Sequence, residues 1–228
     1  MLDFPATAQA LWAGYDSGKL PRPEYLLPVL FSESGFSTSV TNSIGCVGLN
    51  QLCPFAWPIP PGYASWTASQ QIAGPISSMF AANKAKFGPL NSGTRVYQSN
   101  FLPATLATAK DLDSVIAKQG GAVYAANSGL DYQHTGAIRV SDLAHFVARA
   151  AANSTVQSAI AQTYALRPGE SPEDPVYGTD FGHGGVEGLP FSHVALIGAG
   201  VASAVLLGWL AYQEYKRPGY VLPGRVAA

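Results

Sequence analysis

Between residues 5 and about 150, apolar side chains recur at helical spacing in segments that glycine and proline interrupt. One segment opens at Thr67, a favourable helix N-cap, and another carries Pro23 in its first turn. Pro28 lies inside the second segment and favours a kink there. No two-residue alternation is sustained over several segments, which argues against an all-β fold. The pattern predicts a mainly α-helical domain, with helices over residues 7–17, 23–34, 67–87, 102–118 and 141–152.

Two changes of composition follow this domain. Residues 168–190 are rich in proline and then in glycine, which is typical of a flexible tether. Residues 194–212 carry no charged side chain, and about twenty such residues in a helix span the hydrocarbon core of a bilayer. A buried core helix is the alternative. The sequence predicts a domain over 1–167, a tether over 168–190, a transmembrane helix over 191–213 and a short basic tail over 214–228.

The flanks of the apolar segment predict its orientation. Aromatic residues lie on both sides, where amphipathic rings prefer the membrane interface, and Lys216 and Arg217 follow the segment. Because basic residues favour the cytoplasmic side, the tail is expected inside and the domain outside. Residues 1–5 lack the basic region and apolar core of a signal peptide, so export by a standard cleaved signal is not expected.

Charge excludes one class of partner. Charged residues make up 12% of the chain, about half the average share, and the net charge is −1. Nucleic-acid binding normally needs a basic patch or stripe, so we expect no nucleic-acid partner. Hydrophobic residues make up 47% and aromatic residues 11%, which favours a packed core over disorder.

No metal site is predicted. Cys46 and Cys53 alone cannot form a tetrahedral zinc site, and the histidines are scattered. The simpler expectation for these cysteines is two free buried thiols, and a disulfide closing a small loop is the alternative. Residues 131–142 have the outline of a calcium loop, but Asp131 and Asp142 supply too little charge, so we expect a metal-free turn.

The strongest chemical candidate is Glu33, near the end of an apolar helix. Partial desolvation there would raise the pKa of its carboxyl group, which suits a general acid. Gly45 and Gly48 would let the backbone turn closely around a groove, and Gln51 offers both a donor and an acceptor to a sugar. A lone glutamate on a helix is otherwise more often a solvated surface residue.

The spacing of these residues follows a known pattern. The sequence resembles the lytic transglycosylases with the goose-type lysozyme-like fold (glycoside hydrolase family 23). Their signature is Glu-Ser, an aromatic residue two positions later, and a loop ending in Gly-Ala-x-Gly-Leu-Met-Gln. The matching positions are Glu33, Ser34, Phe36, Gly45, Gly48, Leu49 and Gln51. Cys46 replaces the alanine, and Asn50 replaces the methionine that lines the family's substrate groove, which leaves the subsite preference open.

The resemblance covers roughly residues 20–150 and implies a lysozyme-like helical domain that needs no cofactor or metal. It implies that Glu33 is catalytic. The implied substrate-binding residues are Ser34, Gly48, Asn50, Gln51, Tyr97, Asn100 and Tyr124. The last three come from the family's Tyr-Asn motif on a later helix, whose tyrosine reaches toward the catalytic acid. Tyr97 with Asn100 is the first candidate for this motif, and Tyr124 is the alternative.

The distribution of acidic residues bears on the mechanism. From Ser34 to Lys110 the chain contains no aspartate or glutamate. Hydrolytic glycosidases generally use two carboxylates, one as acid and one as base or nucleophile. The family that the sequence resembles needs only one, which protonates the leaving oxygen and then activates the muramic acid 6-hydroxyl. The acid-free stretch therefore favours the one-carboxylate mechanism.

Together these features predict a peptidoglycan lytic transglycosylase that cleaves the MurNAc-GlcNAc β-1,4 bond. The expected partners are glycan strands, the lipid bilayer through residues 191–213, and other virion membrane proteins. Similarity to virion-borne transglycosylases of phages with internal membranes implies a role in genome entry, and a bacterial inner membrane is the alternative location. Two alternatives to this function remain: a water-using muramidase, and a structural membrane protein that binds glycan without cleaving it.

Overall fold

The computed structural model describes residues 3–178, and this part of the chain is mainly helical, as predicted. Residues 179–190 of the predicted tether, the predicted transmembrane helix over 191–213 and the tail over 214–228 lie outside the described residues. The α-helices are α1 (Phe4–Asp16), α2 (Pro23–Ser34), α3 (Ala68–Gln71), α4 (Ser77–Phe87), α5 (Gly93–Phe101), α6 (Ala122–Asn127), α7 (Val140–Ala151) and α8 (Ser154–Tyr164). Within residues 3–178 no helix has the length and apolarity needed to cross a bilayer.

Helix α2 forms the centre of the domain. It begins and ends where the sequence predicts, with Pro28 inside it. The side chains of Leu26, Leu27, Val29 and Leu30 are almost completely buried. Helices α5, α7 and α8 pack around α2. This surrounding shell brings the C-terminal end of α2 close to α5, which positions the candidate site.

The predicted helix over residues 67–87 is broken in the structure. Thr67 caps its start, because its hydroxyl accepts a hydrogen bond from the Gln70 backbone and the Gln70 side chain bonds back. A π-helical turn over Ile72–Ile76 then separates α3 from α4. Pro75 has no N–H to donate, and Gly74 adopts non-helical angles (φ −99°, ψ −108°), so the regular hydrogen bonding stops there.

The predicted helix over residues 102–118 is wrong. A 3₁₀ helix, Pro103–Ala107, is followed by a turn and by strand β1 (Val115–Lys118), which pairs antiparallel with β2 (Ala137–Arg139). The apolar pattern also does not predict α5, although Ser92 caps this helix by accepting a hydrogen bond from the Arg95 backbone N–H. Helix α5 therefore precedes the predicted segment 102–118. The Ser92 cap marks its start, and Pro103 marks its end.

Part of the predicted tether is packed on the domain. The Val176 carbonyl accepts hydrogen bonds from the backbone N–H and the hydroxyl of Thr94, at 3.1 and 2.8 Å. The Tyr25 hydroxyl donates to the Glu173 carboxylate, and the Val176 side chain is buried. Residues 171–178 therefore contact α2 and α5. Contacts with the domain thus continue beyond residue 167, the predicted domain boundary.

Candidate active site

Glu33 occupies the last turn of α2. Gly35 ends the helix in the left-handed conformation (φ 59°), and its N–H bonds to the Phe31 carbonyl at 2.8 Å. Glycine adopts this conformation without the Cβ clash of other residues, so the chain turns sharply just beyond Glu33. The glutamate is therefore fixed by a rigid helix on one side and a tight turn on the other.

The Glu33 carboxyl group is largely removed from solvent, although the residue as a whole keeps some exposure. Oε1 accepts a hydrogen bond of 2.8 Å from Asn100 Nδ2. Oε2 is buried and has no hydrogen-bond partner among residues 3–178. Burial raises the pKa of Glu33 to about 7, against the opposing effect of the Asn100 hydrogen bond, which stabilises the anion. The group is thus balanced between acid and base near neutrality.

A second amide orients the first. Asn50 Nδ2 donates to Asn100 Oδ1 at 2.7 Å and lies 3.8 Å from Met79 Sδ. With Oδ1 of Asn100 engaged by Asn50, its Nδ2 faces Glu33. Asn50 is only 1% exposed, and its own Oδ1 is buried with no partner in the described part of the chain. Asn50, Asn100 and Glu33 form a hydrogen-bonded row, here called the amide relay.

Tyr97 lies beside this row. Tyr97 and Asn100 are three residues apart on α5, which places them on one helix face. The Tyr97 ring is 1% exposed and stacks between Phe101 and Phe146, with centroid distances of 6.3 and 4.7 Å. Burial, and then the charge of Glu33, raise the pKa of Tyr97 well above its usual value. The phenol therefore keeps its proton and lies within electrostatic reach of the carboxyl group.

The loop after α2 depends on a glycine at position 48. Gly48 has φ +84°, and a Cβ there would lie 2.6 Å from Gln71 Oε1 and 2.7 Å from the Tyr63 ring. Gln71 Oε1 accepts the Leu49 N–H at 2.9 Å, while its Nε2 donates to the Thr38 and Tyr63 carbonyls at 2.8 and 3.0 Å. Gly48 is buried, so its role is to admit the side chain that holds the loop. Gln71 is not among the residues predicted from the sequence, because its burial depends on tertiary packing.

The other predicted substrate-binding residues have internal partners. Gln51 is 6% exposed, and its Nε2 donates to the Val40 and Gly48 carbonyls at 3.1 and 2.9 Å. Ser34 Oγ bonds to the Leu30 carbonyl at 3.1 Å. The structure thus gives Gln51 and Ser34 roles in holding their own segments, and it brings Tyr97, Asn50 and Asn100 to Glu33.

Tyr124, the alternative tyrosine, is engaged elsewhere. Its hydroxyl donates to Asp131 at 2.8 Å. The same carboxylate accepts the backbone N–H groups of Thr135 and Gly136 at 2.9 and 2.7 Å. Asp131 therefore stabilises, through these hydrogen bonds, the turn over residues 131–142 whose sequence has the outline of a calcium loop. Over residues 3–178 no three metal-ligating side chains cluster.

Cys46 and Cys53 form a disulfide, so the expectation of two free thiols is wrong. Backbone bonds from Val47 to Leu52 at 2.9 and 3.0 Å bring the two ends of this loop together. Sequence spacing alone does not reveal such pairing, because it depends on the turn that Gly48 permits. The loop that the disulfide closes contains Asn50, so the first member of the amide relay lies in a cross-linked segment.

The neighbouring carboxylates serve other purposes. Glu24 lies nine residues before Glu33 on the same helix, about 13 Å along its axis. It is buried against Arg22 and accepts a 2.6 Å hydrogen bond from the Tyr164 hydroxyl. Asp142 accepts the Arg139 N–H at the start of α7 at 2.6 Å. Burial and Asn100 are the causes of the Glu33 pKa shift, without a contribution from a second described carboxylate.

Protein-family models, curated proteins and solved structures offer no match to this chain. The chemistry of the Glu33 site and the residues that build it are therefore the basis for a functional proposal.

Proposed function

We propose that this protein is a peptidoglycan lytic transglycosylase with Glu33 as its single catalytic carboxylate. One observation carries the proposal: the Glu33 carboxyl group is buried, its pKa is about 7, and Oε2 has no partner within residues 3–178. An acid in this state is protonated in about half of the molecules at neutral pH and has an unpartnered oxygen to deliver the proton. The lysozyme-like arrangement of the helical domain is part of the same proposal.

The proposed reaction uses Glu33 twice. The protonated Oε2 donates its proton to the glycosidic oxygen between MurNAc and GlcNAc, and the C–O bond breaks with both electrons going to that oxygen. The Glu33 carboxylate then accepts the proton of the MurNAc 6-hydroxyl as this oxygen bonds to the anomeric carbon. The products are a 1,6-anhydro-MurNAc end and a free GlcNAc hydroxyl, and Glu33 ends protonated again.

The amide relay suits these two roles. Asn100 donates to Oε1 at 2.8 Å, which stabilises the carboxylate formed after the first proton transfer. Because Asn100 engages Oε1, the unpartnered Oε2 is the proposed proton donor. Tyr97, with its phenol proton retained, is the proposed group that stabilises the negative charge forming on the Glu33 carboxylate.

The geometry favours one carboxylate over two. A retaining glycosidase separates its carboxyl groups by about 5 Å, and an inverting one by about 6.5–9.5 Å. Glu24 lies farther away and is paired with Arg22, and the pKa of Glu33 carries no contribution from another described acid. These observations support the transglycosylase over the water-using muramidase. Attachment to a bilayer through residues 191–213, exposure to the wall and association with a virion membrane are further parts of the proposal and rest on the sequence.

Clearing of purified sacculi tests the assignment. Glu33→Gln keeps the size and the acceptor for Asn100 but has no acidic proton, so we expect at least a thousandfold loss of the clearing rate. Asp111→Asn, which removes an exposed carboxylate, is the matched control and should clear at the wild-type rate. Equal clearing by Glu33→Gln and wild type would remove Glu33 from the mechanism. Retention of sacculus binding without clearing in wild type would instead favour the structural glycan-binding alternative.

A further inference from the structure

A shallow groove of about 490 Å³ opens on the surface of the domain, lined by residues other than those of the Glu33 site. It lies between the loop that follows Cys53 and the broken start of α4. Its walls include Trp57, Pro58, Ile59, Trp66, Pro75 and Ser78. Both indoles are partly exposed, and none of the described side chains that line the groove is charged. The mechanism proposed above uses none of these residues.

The break between α3 and α4 builds one wall of this groove. Ser77 and Ser78 donate their hydroxyls to the Ile72 and Gly74 carbonyls at 2.6 and 3.0 Å, which satisfies acceptors that the π-turn leaves free. At Gly74 a Cβ would lie 3.4 Å from Trp66 Cζ3, so the absence of a side chain lets the indole pack over the break. π-Helical turns inside helices are frequently found at functional sites.

The groove is connected to the candidate active site through packed side chains. Pro75 in the groove and Met79 are four residues apart, so they lie on one helix face about 6 Å apart along the axis. Met79 contacts Asn50, the first member of the amide relay. On the other wall, Gln71 bonds to the carbonyls of Tyr63 and Trp66 and also to the Leu49 N–H. The backbone of Trp66 and the helix that carries Pro75 are therefore both tied to the loop that holds Asn50.

Aromatic faces set in a neutral, shallow surface suit a particular ligand. The face of an indole carries negative charge in its π-system and attracts the weakly positive C–H groups on the flat side of a sugar ring. The absence of cations gives no attraction for nucleic acid or acidic peptides. From this geometry we infer that the groove is a distal glycan subsite, which holds neutral N-acetylhexosamine rings of the same strand that Glu33 cuts. The inference rests on the proposed function for the identity of the strand.

A binding experiment tests the subsite apart from catalysis. The full chain carrying Glu33→Gln is titrated calorimetrically with the β-1,4-linked tetramer of N-acetylglucosamine, which it leaves uncut. Adding Trp57→Ala should weaken binding about tenfold or more, because one stacking face is lost. Ser78→Trp, which keeps both indoles but fills the groove, should weaken it as well. Tyr132→Ala removes a partly exposed aromatic side chain outside the groove and should leave the affinity unchanged.

Each result decides the inference. An affinity that is equal in Trp57→Ala and its parent would overturn it, as would no measurable binding of the tetramer. Binding of a proline-rich decapeptide that depends on Trp57, with no binding of the tetramer, would overturn it in favour of a peptide site. Failure of the proposed function would be seen in a different assay, as clearing of sacculi by Glu33→Gln. The tetramer affinities are measured without cleavage and do not depend on that result.

Discussion

The amide relay makes a prediction about the pH dependence of the reaction. Asn100→Leu replaces the side chain that donates to Glu33 Oε1 with an apolar one of similar size. Burial remains and still raises the pKa of Glu33, whereas the opposing hydrogen bond to the anion is lost. The neutral acid is then favoured to a higher pH. The alkaline limb of kcat/KM, which falls as the free enzyme loses the catalytic proton, should therefore move upward.

The magnitude follows from the strength of the bond. A hydrogen bond to a charged group contributes about 1.5–3 kcal/mol, and one pH unit corresponds to about 1.4 kcal/mol. The expected displacement is about one to two pH units, toward the lower figure because the site keeps some exposure to water. Asn50→Leu frees the Asn100 amide to rotate, so it should move the limb in the same direction by a smaller amount.

The assay is the initial rate of release of soluble glycan from sacculi, measured from pH 5 to pH 9 at limiting substrate. Asn83→Leu is the control, because Asn83 also bonds to α5, through the Ser99 carbonyl at 3.3 Å, without touching Glu33. Its limb should coincide with that of the wild type. An unmoved limb in Asn100→Leu, or one that moves to lower pH, would refute the assignment of the limb to Glu33 held by Asn100.

Three further predictions concern stability. The pKa of Glu33 is raised on folding from 4.5 to about 7, so its contribution is complete below pH 4.5 and is lost as the pH rises through 7; Glu33→Gln should therefore be more stable than wild type by roughly 2–3 kcal/mol at pH 8 and little different at pH 4, in urea titrations. Gly48→Ala should lower the free energy of unfolding by about 2–4 kcal/mol, and Gly45→Ala, with similar φ but open space around it, by only about 1 kcal/mol. Equal losses at the two glycines would show that the buried amide and ring beside position 48 adapt freely. Replacing Cys46 and Cys53 by alanine should cost about 2 kcal/mol under oxidising conditions and nothing under reducing ones, and two titratable thiols in the native wild-type protein would contradict the disulfide.

The sequence predicted the helical elements that carry strong local signals. Helix α2 was predicted residue for residue, because Pro23 marks its start and an apolar run follows. The break at Gly74 was missed, although Gly-Pro is a strong stop signal, because apolar periodicity continues on both sides of it. Helix α5 was missed because it mixes polar and apolar residues, and its polar side chains are buried by tertiary contacts that local pattern does not show.

The residues of the candidate site were also predicted only in part. The family resemblance implied that either Tyr97 with Asn100 or Tyr124 lies beside Glu33, and the structure places Asn100 on Glu33 and Tyr97 on the same helix face. Gln51 was expected to face a sugar, but its donors bind backbone carbonyls of its own loop. An amide side chain in sequence reveals its donors but not its neighbours. The hydrogen bond between Asn50 and Asn100 likewise depends on how the loop that carries Asn50 packs against α5, which the sequence pattern does not show.

The most direct test of the central claim is mass spectrometry of the glycan ends released from purified sacculi by the full chain. The proposed single-carboxylate mechanism predicts 1,6-anhydro-MurNAc ends from the wild type, and none above background from Glu33→Gln. Reducing MurNAc ends from an active wild type would contradict it, because water would then have taken the place of the 6-hydroxyl.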